Sequence, residues 1–484
     1  MLYLTAACLT VLLAVAGFGL DLGIWFTQAQ DAQAAADAAA LAGVVYMPGN
    51  FSQAQAIATT TLAKNGVVDG SGGMSVSISP VTGQPRRLKV CVTDTDVETY
   101  LTKVVDADPT ISKCGTAEYV LPVSMGSPGN IFDRATLGVN PAVNGYCTAK
   151  EDGDLRLSRY QGNRPGGGGA VCVGSPKEDN PDYDAAAYNY AVDIPSVPAS
   201  PVTIQVFDGA FGGPGVDLGL SNNPSAPSTI NTIYRVYDAT QTPLDPTDDP
   251  LLISVTANSG DASWHGTWRS IYTIPAGATA GRYRLQVGSQ TGQLNSAGAN
   301  AFGIRARVGA SFTQCTTIVG DPGYSVTCPQ VFAESELSVF ANQAGGTASF
   351  YLADVDAVHA GKQMVIQLFD PGEGAQTIEL LDPNGNPVTF DYQNVEGFTP
   401  NYSGTTSLLN VSGSGPQPPN RASTSKFNER KMQLVVQLPG NYTSLYGAKT
   451  WWRLRYTTSA AAVTDRTTWS VAIIGDPLHL VPNG

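Results

Sequence analysis

The stretch MLYLTAACLTVLLAVAGFGLDLGIWFTQAQDAQAAADAAALAGVVY, residues 1–46, decides how the rest of the chain is read. It contains no Pro, Lys or Arg, and its only charged side chains are Asp21, Asp31 and Asp37. Met1 to Leu20 is uncharged; as a helix rising about 1.5 Å per residue it spans roughly 30 Å, the thickness of a bilayer core. A secretory signal peptide would open on a basic segment and close on a small-residue cleavage site, and neither is present. After Leu20 the helical pattern continues, rich in Ala and Gln, without a breaker until Met47-Pro48-Gly49-Asn50. One helix of about 46 residues, roughly 70 Å long, is expected within 1–47, its apolar half able to cross a membrane and its Ala-rich half extending beyond.

Small residues recur along this helix. Gly19 and Gly23 stand four apart with Gly17 nearby, and alanines from Ala32 to Ala42, including Ala36 and Ala40, crowd the second half. Such residues let helix backbones approach closely; the plainer reading is that Ala supplies helix propensity. Asp21 has two readings. It marks where the helix leaves lipid, or it pairs with a cation such as the α-amino group of a neighbouring subunit, because a carboxylate beside an apolar packing surface is costly unless paired.

Val15-Ala16-Gly17-Phe18-Gly19-Leu20-Asp21-Leu22-Gly23, followed by Ala32-Gln33-Ala34-Ala35-Ala36-Asp37-Ala38-Ala39-Ala40-Leu41-Ala42-Gly43, resembles the N-terminal signature of TadE/TadG-like proteins of tight-adherence (Flp-type) pilus systems. In that family an apolar helix running into a "vDlG" element is followed by "lQ.AADAAALAGA". The resemblance covers about residues 1–45, and the short helix and small strand-rich segment that follow look similar too. It implies insertion in a membrane before assembly, and copies of the chain itself or other pilins as partners. The assembly residues are then Gly17, Gly19, Asp21, Gly23, Ala32, Gln33, Ala36, Asp37 and Ala40. Family members usually begin with a basic cytoplasmic leader, whereas this sequence starts directly at Met1 and reads as a processed or truncated form. Larger relatives also carry a von Willebrand A domain with Asp-x-Ser-x-Ser. Asp69-Gly70-Ser71-Gly72-Gly73 lacks the second serine and the preceding strand and reads as a loop.

The remainder is β in character. The 484 residues suffice for two to four domains. With 52 Gly and 32 Pro against 14% charged and 8% aromatic residues, the balance is that of turn-rich β domains. A net charge of −13 repels phosphate backbones and excludes nucleic acid as a natural partner. Residues 48–123 are expected as a small α+β domain. Its helix runs over 50–65, capped by Asn50 or Ser52 and ended by Gly66; MSVSISP and RLKVCVTD give strands, and VETYLTKVV a second helix.

Beyond residue 123 turn signals recur about every ten residues, the pattern of sandwiches. An internal duplication organises this part. Val202-Thr203-Ile204-Gln205-Val206-Phe207-Asp208 matches Met364-Val365-Ile366-Gln367-Leu368-Phe369-Asp370, an offset of 162. Thr232 to Asp238 echoes Thr377 to Asp382, Tyr272 to Pro275 echoes Val436 to Pro439, Tyr283-Arg284-Leu285 parallels Trp452-Arg453-Leu454, and Phe302-Gly303-Ile304 parallels Trp469-Ser470-Val471. The fold class expected is α+β, mainly β: a long hydrophobic helix, a small α+β domain, and two tandem duplicated β-sandwiches over 124–312 and 313–484.

Cys8 reads as a packed thiol in the apolar helix. Six other cysteines fall in chain order as Cys91 and Cys114, Cys147 and Cys172, Cys315 and Cys328. Fifteen pairings are open to six cysteines, and spacings of 23, 25 and 13 favour sequential neighbours and an oxidising compartment. No C-x-x-C supports metal ligation.

Catalytic patterns are missing. His265, His359 and His479 are far apart, G-x-S-x-G and H-E-x-x-H are absent, and Gly166 to Gly169 lack the Lys-Ser/Thr of a phosphate cradle. No enzyme and no cofactor are expected. Calcium is the alternative at Glu151-Asp152-Gly153-Asp154 or Asp245-Pro246-Thr247-Asp248-Asp249. Trp264, Trp268, Trp451 and Trp452 read as strand core or as a sugar-binding face. The expected function is a structural subunit of an extracellular, cell-surface pilus-like filament reached through the cytoplasmic membrane. A membrane-anchored minor pilin, assembly factor or adhesin is the first alternative, and a secreted carbohydrate-binding protein the second.

Overall fold

A computed structural model describes residues 2–47, 51–82, 84–97, 99, 109–119, 123–132, 139–161, 178–186, 188–212, 230–239, 249–259, 261, 263–264, 266–292, 298–371, 376–395, 402–411, 427, 430–474 and 478–481. The expected helix at VETYLTKVV, the Asn50 cap, Gly166 to Gly169, Cys172, His265 and the acidic run from Asp245 to Asp248 lie outside these residues. The chain divides into two compact units, one built chiefly from Met1–Leu121 and Asp476–Gly484, the other from Pro122–Thr240 and Asp249–Gly475. The class is α+β, mainly β, with one long apolar helix at the start.

In the first unit, helix α1 (Leu2–Val44) is followed by α2 (Phe51–Lys64). Gly66 takes a φ of +81° and the Val67 amide returns to the Leu62 carbonyl at 2.9 Å, ending α2 with the left-handed residue that glycine adopts without steric cost. Strands β1 (Met74–Val81), β2 (Gln84–Asp94) and β3 (Ile111–Tyr119) form an antiparallel meander. A fourth strand joins the edge of β3: Leu478–Leu480, whose Leu478 faces Tyr119 and Leu480 faces Ala117. The tail of the expected 313–484 domain thus belongs to the first unit, where pairing satisfies backbone groups that β3 would otherwise expose. Ala35, Ala36, Ala39, Ala40 and Val44 of α1, Ala54, Ala58 and Leu62 of α2, and Leu88, Val90 and Val92 of β2 make one core.

The second unit repeats one arrangement of strands twice. In the first copy, Leu251–Ala257, Thr232–Ala239, Gly281–Ser289 and Tyr188–Ile194 pair in that order, while Trp268–Ile274, Val202–Gly212 and Ala299–Val308 make the facing layer. In the second copy, Leu409–Asn410, Gln376–Leu381, residues 453–458 and residues 346–354 correspond to the first layer. Lys431–Gln437, Gln363–Phe369 and residues 468–474 correspond to the second. Glu336–Asp354 and Trp451–Ile474 each contribute to both layers.

Register fixes the duplication more finely than sequence did. Val236 faces Leu285 as Leu380 faces Leu454. Ile204 faces Tyr272 and Val206 faces Ile304, whereas Met364 faces Val436 and Ile366 faces Val471. With the other equivalences kept, Ile204 corresponds to Met364, so the expected match of Ile204 with Ile366 is two residues out of step. A slip of two keeps every side chain on its face, which is why the pattern tolerated it.

The boundary expected at 312/313 does not separate two cores. Gln330–Glu334 pairs with Tyr188–Ile194 of the first copy, and Val139–Asn144 pairs with both Ala299–Val308 and Glu336–Asp354. One continuous apolar cluster runs from Phe132 and Tyr190 through Phe302 to Phe350 and Trp469.

Candidate assembly site

The family-like signature lies on α1, and the two faces of that helix have different fates. Positions 32, 35, 36, 39, 40 and 43, spaced three and four apart, are buried against the unit's own α2 and sheet. Contact there is close enough to demand glycine on both partners. An ideal Cβ at Gly43 would lie 2.6 Å from Leu88 Cδ2 and 2.7 Å from the Ala54 carbonyl oxygen. A Cβ at Gly115 of β3 would lie 2.7 Å from the Asp37 nitrogen and 2.8 Å from the Ala36 carbonyl carbon. Gln33 Nε2 donates to Asp37 Oδ1 and to the Cys114 carbonyl, both at 2.9 Å, tying the helix to β3 beside the Cys91–Cys114 disulfide. Ala32, Gln33, Ala36, Asp37 and Ala40, expected as assembly residues, pack within their own unit.

The same stripe continues toward the N-terminus through Gln28, Ile24, Asp21 and Gly17, which are buried or half-buried. Asp21 is fully buried and has its partner within the chain. A partner within the chain meets the high cost of leaving this carboxylate unpaired on an apolar helix. The opposite face is open. On it Leu12, Val15 and Phe26 keep more than half of their surface exposed and a Cβ at Gly19 or Gly23 meets nothing within 4 Å, while Leu13 and Leu20, one turn before Gly17 and Ile24 on the stripe side, are exposed as well. Cys8, expected as a packed thiol, is exposed and free. Val11–Val44 is long and apolar enough, at a mean hydropathy of 1.5, to cross a membrane.

Two of the expected disulfides, Cys91–Cys114 and Cys315–Cys328, are formed. Cys147 is also disulfide-bonded. The Glu151 to Asp154 run is occupied differently from a calcium loop. Asp154 is buried; its Oδ1 accepts from the amides of Arg156 and Leu157 at 3.0 Å and from the Tyr188 hydroxyl at 2.7 Å, and its Oδ2 from the Asn144 amide at 2.8 Å. Burial holds its carboxyl above the ordinary range despite these donors. Asp249 pairs with Arg284 at 2.7 Å. Among the described residues no group of three or more His, Cys, Asp or Glu side chains is placed to hold a metal ion.

The tryptophans divide. Trp452 is core, its Nε1 donating to the Tyr442 hydroxyl at 2.9 Å. Trp264 stacks on Tyr234, and Trp268 lies against Phe207 with the Arg305 guanidinium 4.1 Å from its ring centre. Trp451 lines a cleft of about 640 Å³. His359 is buried in a short helical turn and His479 sits on the strand beside β3, with no shared site.

No curated protein matches the chain. Among solved structures, the M60 catalytic domain with the CBM51-1 and CBM51-2 domains from Clostridium perfringens ZmpB is 10% identical, covering 84% of this chain and 44% of that one, with a TM-score of 0.17. The chain thus spans less than half of that structure's length. The CBM22-1-CBM22-2 tandem domain from Paenibacillus barcinonensis Xyn10C is also 10% identical, covering 58% of this chain and 82% of that one, with a TM-score of 0.14. Neither likeness bears on fold or ligand. Residues 1–56, the helix with the docked and open faces and the start of α2, match the putative Flp pilus-assembly TadE/G-like family.

Proposed function

We propose that the chain is a structural subunit of an extracellular pilus-like filament, held in the cytoplasmic membrane by α1 before assembly and polymerising through the open face of that helix. The observation that carries this reading is the division of α1: one face is consumed by its own unit, while the opposite face is apolar and has Gly19 and Gly23 unobstructed four residues apart. Small residues at that spacing let a second helix approach closely, and their backbones gain contact only from an external partner. The β-rich second unit is then displayed outside, where the chain's net charge of −13 keeps a crowded array soluble. The matched pilus-assembly family supports a role in such a system.

The test is to express Gly19→Leu and Gly23→Leu chains and measure filament yield in sheared surface fractions. Because a Cβ at either position meets nothing within 4 Å, both variants are expected to keep the fold and to lose assembly. Wild-type filament yield in both variants rejects polymerisation through this face. Retention of both variants and the wild type as single membrane-anchored chains favours the minor pilin or assembly-factor reading instead.

A further inference from the structure

The two copies of the sandwich differ at one position in a way the fold itself does not require. Arg284 of the first copy is buried and satisfied: its Nη1 meets Asp249 at 2.7 Å and its Nε meets Glu334 at 3.5 Å. Its counterpart in the duplication is Arg453, which lines the cleft of about 640 Å³. The Arg453 Nε is buried without a hydrogen-bond partner. A buried donor left unmade costs about 1–3 kcal/mol, and the side chain that carries it lines the cleft.

The walls define that molecule. Trp451 and Tyr351 meet edge to face with ring centres 5.5 Å apart, and Tyr446 adds a third aromatic side chain. Asn384, held by Lys449 at 3.0 Å and donating to the Leu445 carbonyl at 3.1 Å, brings an amide to the rim. Asp354 and Asp321 stand in the same lining as Lys449 and Arg453, so carboxylates and cations balance. Aromatic faces among donors and acceptors of both kinds, without net charge, suit a ligand with C–H faces and many neutral hydroxyls, and the volume falls in the range of small-molecule sites. The Cys315–Cys328 disulfide pins the loop that supplies Thr317, Ile318 and Asp321 to one wall.

We infer that the cleft bordered by Trp451, Tyr351 and Arg453 is a binding site for a neutral glycan, with sugar hydroxyls meeting the polar groups of the lining and a sugar face against the aromatic pair. The site lies wholly in the second unit and operates whether or not α1 polymerises. The experiment uses the full chain in detergent, titrated with lactose, cellobiose, maltose, N,N′-diacetylchitobiose and, as the charged comparison, sialyllactose. Binding is followed by saturation-transfer NMR and by tryptophan fluorescence. Saturable binding of at least one neutral disaccharide is expected, weakened by at least about tenfold, or about 1.4 kcal/mol, in Trp451→Ala. Since Trp451 is mostly buried, Ala448→Arg at an exposed cleft position serves as the second variant; it fills the cleft without removing core and is expected to abolish binding. Absence of saturable binding by every neutral probe, binding of sialyllactose alone, or neutral binding undiminished in Ala448→Arg overturns the inference.

Discussion

Replacing Gly115 by Ala places one methyl group in the contact between β3 and α1. The new Cβ would sit 2.7 Å from the Asp37 nitrogen and 2.8 Å from the Ala36 carbonyl carbon, both backbone atoms of a helix that cannot swing aside as a side-chain end would. Ordinary contacts lie about 3.5–4.0 Å apart, so helix and sheet must separate by most of an ångström or distort. Overpacking costs about 1–3 kcal/mol, and backbone on both sides sets the expectation at roughly 2–3 kcal/mol. Gly43→Ala faces a similar clash with Leu88 and Ala54, but gains about 1 kcal/mol of helix propensity, which brings its net cost to roughly 1–2 kcal/mol. Gly19→Ala, with nothing within 4 Å, retains the propensity gain and is expected to be neutral or stabilising. Hydrogen exchange of the α2 and β3 amides in the full chain reads these energies site by site, and roughly 2–3 kcal/mol at Gly115 corresponds to protection lowered about 30- to 150-fold. Unchanged protection in Gly115→Ala would refute the claim that close backbone approach holds α1 to its sheet.

Acid and redox chemistry give further expectations. Burial holds the Asp154 and Glu336 carboxyls above their ordinary values of 3.8 and 4.5, despite the Arg156 partner of Glu336. Above those values the unfolded chain has released protons that the folded unit keeps, so stability is highest on the acid side of the window and falls as pH rises through it. Denaturant midpoints across the window check the slope, and Asp154→Asn is expected to flatten it while costing about 1–3 kcal/mol through the four donors that Asp154 satisfies. Replacing Cys315 and Cys328 by Ser opens a loop with a sequence separation of 13. The expected loss is about 3 kcal/mol in the second unit, measured as a lower melting temperature that reductant reproduces in the wild type.

The long helix, the second helix and its Gly66 stop, the β1 and β2 strands and two of the sequential disulfides were legible because each depends on local pattern. The partner of the Ala-rich stripe was not. Small residues every three or four positions announce a close neighbour, and a sequence cannot say whether that neighbour is another copy or the chain's own sheet. The missing clue was Gly115, a lone glycine inside the strand pattern Ile111–Tyr119, where such a residue often marks backbone approaching backbone. The strand Leu478–Leu480 was too short to signal pairing with β3. The Arg453 cleft was half legible: Trp451 stands out as an aromatic, but that it borders a cleft while Trp452 packs wholly in the core depends on which layer each side chain faces.

The central claim is that α1 is an assembly helix with one docked and one open face. Electron microscopy of the purified full chain after detergent removal tests it most directly. The account predicts filaments whose reconstruction has α1 helices packed about the axis through Gly19 and Gly23, with the β-rich units outside. Dispersed particles that stay monomeric, or filaments joined through the β units with the Gly19 face uncovered, would contradict it.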